Sequence, residues 1–169
     1  AKGGKKITIL TKTKEKTSGN TPRAQGGIVY KGLEDSPEKR KQDILNAGAG
    51  HCWEEAVNQL CKHGPKLVDE ILLKTLKIPF NSSNGDLDRV SEAAHSSPRV
   101  LYRADKTGKS LHARALHYLE ALPNVEILTN HMAIDLLTFS HNSTTSTDIY
   151  KKPACFGAMV LDNTNNKVL

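Results

Sequence analysis

Apolar positions along the chain keep two rhythms, and each predicts a different element. Ile7-Thr8-Ile9-Leu10 is a short apolar run that reads as a strand ending at Thr11-Lys12. Further on, Asp35-Ser36-Pro37-Glu38 opens a helix: Ser36 can cap it, Pro37 suits the first helical position, and the acids favour the helix dipole. That helix is expected to run to about Asn46 and to stop at Ala47-Gly48-Ala49-Gly50. Trp53 to His63 predicts a second helix, with Ala56, Val57, Leu60 and Cys61 on one face. Gly64-Pro65 is expected to end it, and Leu67, Val68, Ile71, Leu72 and Leu76 then mark a third.

Ile78-Pro79-Phe80 reads as extended, and Asn81 to Asp86 as a polar turn. Arg99-Val100-Leu101-Tyr102 predicts a buried strand. Thr107 can cap a further helix, with Leu111, Ala115, Tyr118, Leu119 and Leu122 inward and a stop at Pro123-Asn124. Val125 to Thr129 and Ala133 to Phe139 read as strands. Ser140 to Lys152 is polar and predicted to be exposed or mobile. Cys155 to Leu161 is a strand, Asp162 to Asn166 a hairpin turn, and Lys167-Val168-Leu169 the start of another strand. Strand, helices, strand, helix and then a run of strands is the order of an α/β domain with an added antiparallel piece.

Composition narrows the function classes. At 169 residues the chain suffices for one domain with a real core. Its net charge is +6, but residues 1 to 16 hold six lysines against the single acid Glu15, so the remainder is near neutral. With aromatics at only 5%, this is a solvated basic end rather than a nucleic-acid surface. No apolar run approaches the ~18 residues of a membrane span, and no long apolar stretch follows the basic start as a secretory signal requires. Cys52, Cys61 and Cys155 are odd in number and widely spaced, so neither zinc nor a disulfide framework is expected. They read as buried reduced thiols of a cytosolic protein.

The candidate chemistry lies in Asn20-Thr21-Pro22-Arg23-Ala24-Gln25-Gly26-Gly27-Ile28. Two adjacent glycines let backbone approach a flat ligand closely and can take φ > 0. Successive N–H groups in such a turn form a concave donor surface for an anion, and Asn20, Thr21 and Gln25 add side-chain donors and acceptors. The same residues also suit an ordinary tight turn. Gly108-Lys109-Ser110 has the ending of a P-loop, but Arg103 stands where that loop needs its first glycine.

The apolar strand, Thr11-Lys12, the polar loop and Asn20-Thr21-x-x-Ala24-Gln25-Gly26-Gly27-Ile28 together resemble the flavin-binding segment of one flavoprotein family. That family contains L-aspartate oxidases and the flavoprotein subunits of succinate dehydrogenase and fumarate reductase. A second block, Ser91-Glu92-Ala93-Ala94-His95-Ser96-Ser97-Pro98-Arg99 through Ala104-Asp105-Lys106-Thr107-Gly108, is similar to the aspartate oxidase branch. A third, Asn124 to Leu128 with Ala133 to Leu136, resembles the strand that passes the adenine end of FAD.

The resemblance implies a Rossmann-like FAD-binding domain of the fumarate reductase flavoprotein type, partial over residues 1–169. The G-x-G-x-x-G turn and the capping domain are not within this sequence, and an internal segment of the full enzyme is therefore expected. It implies FAD contacts at Lys12, Asn20, Thr21, Pro22, Arg23, Ala24, Gln25, Gly26, Gly27 and Ala133. Asn20 stands where succinate dehydrogenases carry the histidine that bonds to flavin, so the FAD is expected to be non-covalent. Glu92 replaces the phenylalanine of the succinate and fumarate enzymes, and its carboxylate could pair with the ammonium of L-aspartate. His95 could face flavin or substrate, and a packing or hydrogen-bonding role is equally open. Ser91, where a larger polar residue is frequent, has no explanation.

The implied activity is FAD-dependent oxidation of L-aspartate to iminoaspartate. Electrons would pass to oxygen or fumarate, in the cytoplasm, with the product feeding quinolinate and NAD synthesis through quinolinate synthase. No metal is expected. The alternatives are a succinate dehydrogenase or fumarate reductase flavoprotein, or a non-catalytic remnant or nucleotide-binding domain on the same scaffold.

Overall fold

The computed structural model describes residues 4–169, which form two compact units: residues 19–118, and residues 4–18 together with 119–169. Ala1 to Gly3 of the basic end lie outside the described residues. In chain order the elements are β1 (Ile7–Thr11), β2 (Ile28–Val29), α1 (Pro37–Ala47), α2 (Glu54–Leu67), β3 (Ser82–Ser83), β4 (Asp86–Leu87), β5 (Val100–Leu101), α3 (Thr107–Glu120), β6 (Val125–Thr129), β7 (His131–Thr138), α4 (Phe139–Asn142), β8 (Cys155–Asp162) and β9 (Lys167–Val168). No helix among the described residues is long and apolar enough to cross a membrane.

In residues 19–118, α1 starts as its sequence predicts. The Ser36 hydroxyl accepts the Lys39 N–H at 3.1 Å, and Pro37 occupies the first turn. The helix after it departs from expectation. Gly64-Pro65 does not end α2, which continues through both residues and passes directly into a π-helical stretch, Val68–Thr75. Pro65 has no N–H to give to the Cys61 carbonyl one turn back. The Arg40 guanidinium supplies the missing donor, with Nη2 3.3 Å from that oxygen. A side chain from α1 thus compensates for a proline inside α2.

The π stretch also resets the inward face. Its wider turn brings Val68, Leu72, Leu73 and Leu76 onto the core, while Leu67 and Ile71, expected inward, are about half exposed. Leu60 and Ala56 likewise face outward, leaving Val57 and Cys61 as the buried face of α2. Lys77, at φ 50°, closes the stretch, and the Ile78 N–H reaches back to the Leu72 carbonyl at 2.9 Å. The core is Tyr30, Val68, Ile78, Phe80 and Leu101, with Ile28, Leu87 and Leu111 packed against it. Burying each such side chain stabilises the fold by about 1.5–3 kcal/mol. β2 and β5 pair antiparallel through this core, and the predicted turn at 81–86 is a tight β3–β4 hairpin.

In the other unit, β1 runs parallel to β6 from Ile7↔Val125 to Thr11↔Thr129. Asn130, at φ 59°, turns the chain into the antiparallel order β7-β8-β9. Ser140 to Lys152 is more ordered than its composition suggests. It forms α4 and a 3-10 turn, Ser146–Tyr150. The reason is Asp148, whose carboxylate accepts from the Ser143 hydroxyl at 2.6 Å and pairs with Lys151 at 2.7 Å. Of the three thiols only Cys61 is buried; Cys155 is exposed.

Candidate functional site

The Asn20–Gly27 loop is built on the start of α3. A single 3-10 turn, Thr21–Arg23, is closed by the Arg23 N–H on the Asn20 carbonyl and the Ala24 N–H on the Thr21 carbonyl, at 2.9 and 3.1 Å. The Gly108 N–H then donates to the Ala24 carbonyl at 3.0 Å. A Cβ at Gly108 would lie 2.0 Å from the Thr21 carbonyl oxygen, so only glycine admits this docking. The loop is therefore a held surface with its polar groups turned out. Asn20, Thr21 and Gln25 are exposed, and their side chains make no hydrogen bond among the described residues.

The two glycines do different work. Neither has positive φ, contrary to one expected use of them. Gly27 lies against β5, where a Cβ would meet Val100 Cγ1 at 2.2 Å and the Leu101 carbonyl at 2.5 Å. A Cβ on Gly26 would meet nothing within 4 Å. Gly27 seats the loop on the sheet, and Gly26 leaves bare backbone facing open space. The internal bonds of Arg23 and Ala24 occupy two N–H groups, so the concave donor surface expected here is smaller than the sequence suggests.

Glu92 and His95 sit in the same unit, on the turn that precedes β5. The His95 N–H donates to the Glu92 carbonyl at 3.2 Å, and Ala93 between them is left-handed, at φ 50°. The Glu92 side chain is exposed and makes no ion pair among the described residues. His95 is half-buried. It lines a cavity of about 260 Å³ with Val29, Tyr30, Arg40, Cys61 and Pro65.

A buried charge network anchors this turn. Arg99 is fully buried. Its guanidinium meets Asp35 Oδ1 at 2.8 Å, Asp43 Oδ2 at 2.5 Å and His95 Nδ1 at 3.1 Å. Arg40 adds a second contact to Asp35, at 2.7 Å. Asp43 Oδ2 also accepts the Ser96 N–H and hydroxyl, both at 2.9 Å. Two arginines and two aspartates thus balance in charge, although Nε of each arginine lacks a partner among the described residues. Burial pushes the Asp43 carboxyl up, but the Ser96 N–H, Arg99 and the Ser96 hydroxyl outweigh it and hold the group at about 2. Asp35 is likewise held low: burial opposes ionisation, and the Arg40 guanidinium and Gly32 N–H outweigh it.

Lys12 and Ala133 belong to the other unit. Lys12 is exposed just after β1, and its carbonyl accepts from the Asn163 amide at 3.3 Å. Ala133 pairs with Val160 immediately before a register shift in β7 that leaves Ile134 without a partner. Such bulges re-aim side chains and recur beside functional sites.

Sequence reading missed Arg99, Asp43, Asp35, Arg40 and Gly108 as parts of the site. Arg99 left one signal: an arginine opening an apolar strand must find carboxylates if it is buried. Gly108 left another, a glycine in the first turn of a helix where better helix formers are usual.

Residues 1–168 match the FAD binding domain family. An L-aspartate oxidase of Halobacterium salinarum is 37% identical over 138 residues, covering 82% of this chain and 26% of that protein. A chloroplastic L-aspartate oxidase of Oryza sativa subsp. japonica is 33% identical over 164 residues, covering 96% and 24%. The chain spans about a quarter of the length of the curated relatives it matches. Among solved structures, a quinol-fumarate reductase with menaquinol molecules superposes with TM-score 0.80 at 18% identity, covering 97% of this chain and 26% of that one. The E. coli quinol fumarate reductase superposes with TM-score 0.77 at 20% identity, covering 93% and 25%.

Proposed function

The chain belongs to the FAD binding domain family, and from that premise we propose that it is the part of an L-aspartate oxidase that holds FAD and orients L-aspartate. The observation that carries this reading is the run of L-aspartate oxidases at 30–38% identity over most of the chain. The site residues fit it. The loop offers amide and hydroxyl groups without partners among the described residues, beside bare backbone at Gly26, the donor set a flat, polar, phosphate-bearing ligand needs. Asn20, Thr21, Gln25 and Gly26 would hold FAD without a covalent bond, and Pro22, Arg23, Ala24 and Gly27 would shape the turn that presents them. Lys12 and the backbone at Ala133 would contribute further contacts.

Bound FAD supplies the two-electron acceptor for the C2–H bond of L-aspartate, giving iminoaspartate. The chain's own residues bind and orient. Glu92, exposed and without a counter-ion among the described residues, would accept hydrogen bonds from the substrate ammonium. His95 would meet the substrate from the same turn. Oxygen or fumarate would reoxidise the flavin, and the product would feed quinolinate and NAD synthesis. Succinate carries no ammonium and has no use for a carboxylate at Glu92, which disfavours the succinate-oxidising alternative.

The test is the visible spectrum of this chain, and of the longest product of its gene, after desalting. L-Aspartate or succinate is then added without oxygen. Flavin that bleaches with L-aspartate and not with succinate supports the reading. Bleaching by succinate alone turns it to the succinate-oxidising alternative, and the absence of flavin from both proteins to a non-catalytic one.

A further inference from the structure

The Arg99 Nη1 nitrogen carries two protons, and the structure accounts for both. One lies on Asp43 Oδ2, and the other points to His95 Nδ1 at 3.1 Å. Nη2 is engaged by Asp35 Oδ1 at 2.8 Å. A guanidinium donates and never accepts, and it keeps its proton in a protein. The contact with His95 therefore requires Nδ1 as acceptor, which leaves the ring proton on Nε2. Arg99 is fully buried and held by two carboxylates, so it cannot swing away to release the ring. The His95 N–H on the Glu92 carbonyl fixes the backbone of the same turn.

We propose that Arg99 is a positioning residue that holds His95 in the Nε2–H tautomer, making it a hydrogen-bond donor to a carboxylate oxygen of the substrate. Nε2 has no partner among the described residues, and the half-buried ring lines the cavity of about 260 Å³, so no group of the chain takes up this donor. Glu92 accepts and His95 donates from two ends of one four-residue turn, the pair of polarities that an amino acid's ammonium and carboxylate require. The identity of the ligand oxygen rests on the aspartate oxidase reading; the tautomer does not.

The tautomer is read directly on this chain, labelled with ¹⁵N-histidine, from correlation of ring nitrogens with ring carbon-bound protons. The expected result is one His95 species with unprotonated Nδ1 and protonated Nε2. In Arg99→Lys the ring should exchange between tautomers, as is expected of the exposed His63. A protonated Nδ1, or a parent ring already exchanging like His63, overturns the proposal. Where Arg99→Lys does not fold, the parent spectrum still decides. In the longest gene product, His95→Gln keeps an acceptor for Arg99 and a donor for the ligand. It should hold kcat/KM for L-aspartate within about threefold, whereas His95→Leu should lose about tenfold or more, mostly in KM. Equal losses in the two variants also overturn it. A parent that never oxidises L-aspartate sinks the functional reading and leaves the spectral result standing on its own.

Discussion

Gly27 lies so close to Leu101 that a Cβ on it would stand 2.5 Å from the Leu101 carbonyl oxygen, whereas one on adjacent Gly26 would touch nothing. The pair therefore separates folding from ligand contact. Gly27→Ala must displace β5 backbone or the loop, and a urea titration should show about 2–3 kcal/mol of lost stability. Gly26→Ala should change stability by less than about 0.5 kcal/mol. In the longer gene product Gly26→Ala should nonetheless weaken FAD retention on desalting, because its methyl group would intrude where the backbone is proposed to meet the flavin. Full retention of FAD by Gly26→Ala would remove Gly26 from the binding surface.

Ala93 sits at φ 50° between Glu92 and His95, a conformation that costs an L side chain about 1 kcal/mol or more. Ala93→Gly removes the Cβ conflict, offset in part by the greater conformational entropy of the unfolded chain. The expected outcome is a gain of up to about 1 kcal/mol in urea unfolding. Ala93→Val, branched at Cβ, should lose about 1–2 kcal/mol in the same assay. A loss in the glycine variant would show that the turn is held by contacts of the Ala93 methyl group.

What the sequence made legible follows from how local each cause is. Ser36 and Pro37 act within one helical turn, and the start of α1 is where they predict. Strand β1 and the β8–β9 hairpin are equally local patterns. Gly64-Pro65 failed as a stop signal because its remedy is remote: Arg40, twenty-one residues before Cys61, satisfies the carbonyl that Pro65 abandons. The π stretch failed for a related reason, since a change of period within one helix shifts which of Leu67, Val68, Ile71 and Leu72 point inward. The loop was found from its glycines, but the reason Gly27 must be glycine lies in Val100 and Leu101, more than seventy residues away. The Arg99 network is likewise assembled from three segments, and no single stretch announces it.

Asp43 gives the fold a defined acid limit. Its carboxyl is held at about 2 in the folded chain, against an ordinary value near 3.8. A depressed folded value means that the unfolded chain binds the proton first. Its contribution is thus fully present above about pH 5 and is lost as pH falls through 4 towards 2. The full shift corresponds to about 2 kcal/mol. Urea midpoints measured between pH 6 and pH 2.5 should therefore fall in the parent chain. In Asp43→Asn the midpoint should start lower and fall less steeply, because the amide cannot titrate and leaves Arg99 short of a counter-ion. Parallel slopes in the two proteins would assign the acid sensitivity to other carboxylates.

On the proposed reading, substrate choice turns on Glu92. Its side chain is exposed, makes no ion pair among the described residues, and stands on a turn held by the His95 N–H and the Arg99 network. Replacing the carboxylate by an amide should not disturb that turn, so Glu92→Gln should keep the parent melting temperature within about 1 °C. In the longer gene product the same change would remove the proposed charge-assisted hydrogen bond to the L-aspartate ammonium. Such a bond contributes about 1.5–3 kcal/mol, so kcat/KM for L-aspartate should fall about ten- to a hundredfold. Reduction of fumarate by the reduced flavin, which involves no ammonium, should be unchanged or improved. Unaltered L-aspartate kinetics in Glu92→Gln would move ammonium recognition to another residue, whatever the flavin-binding loop does.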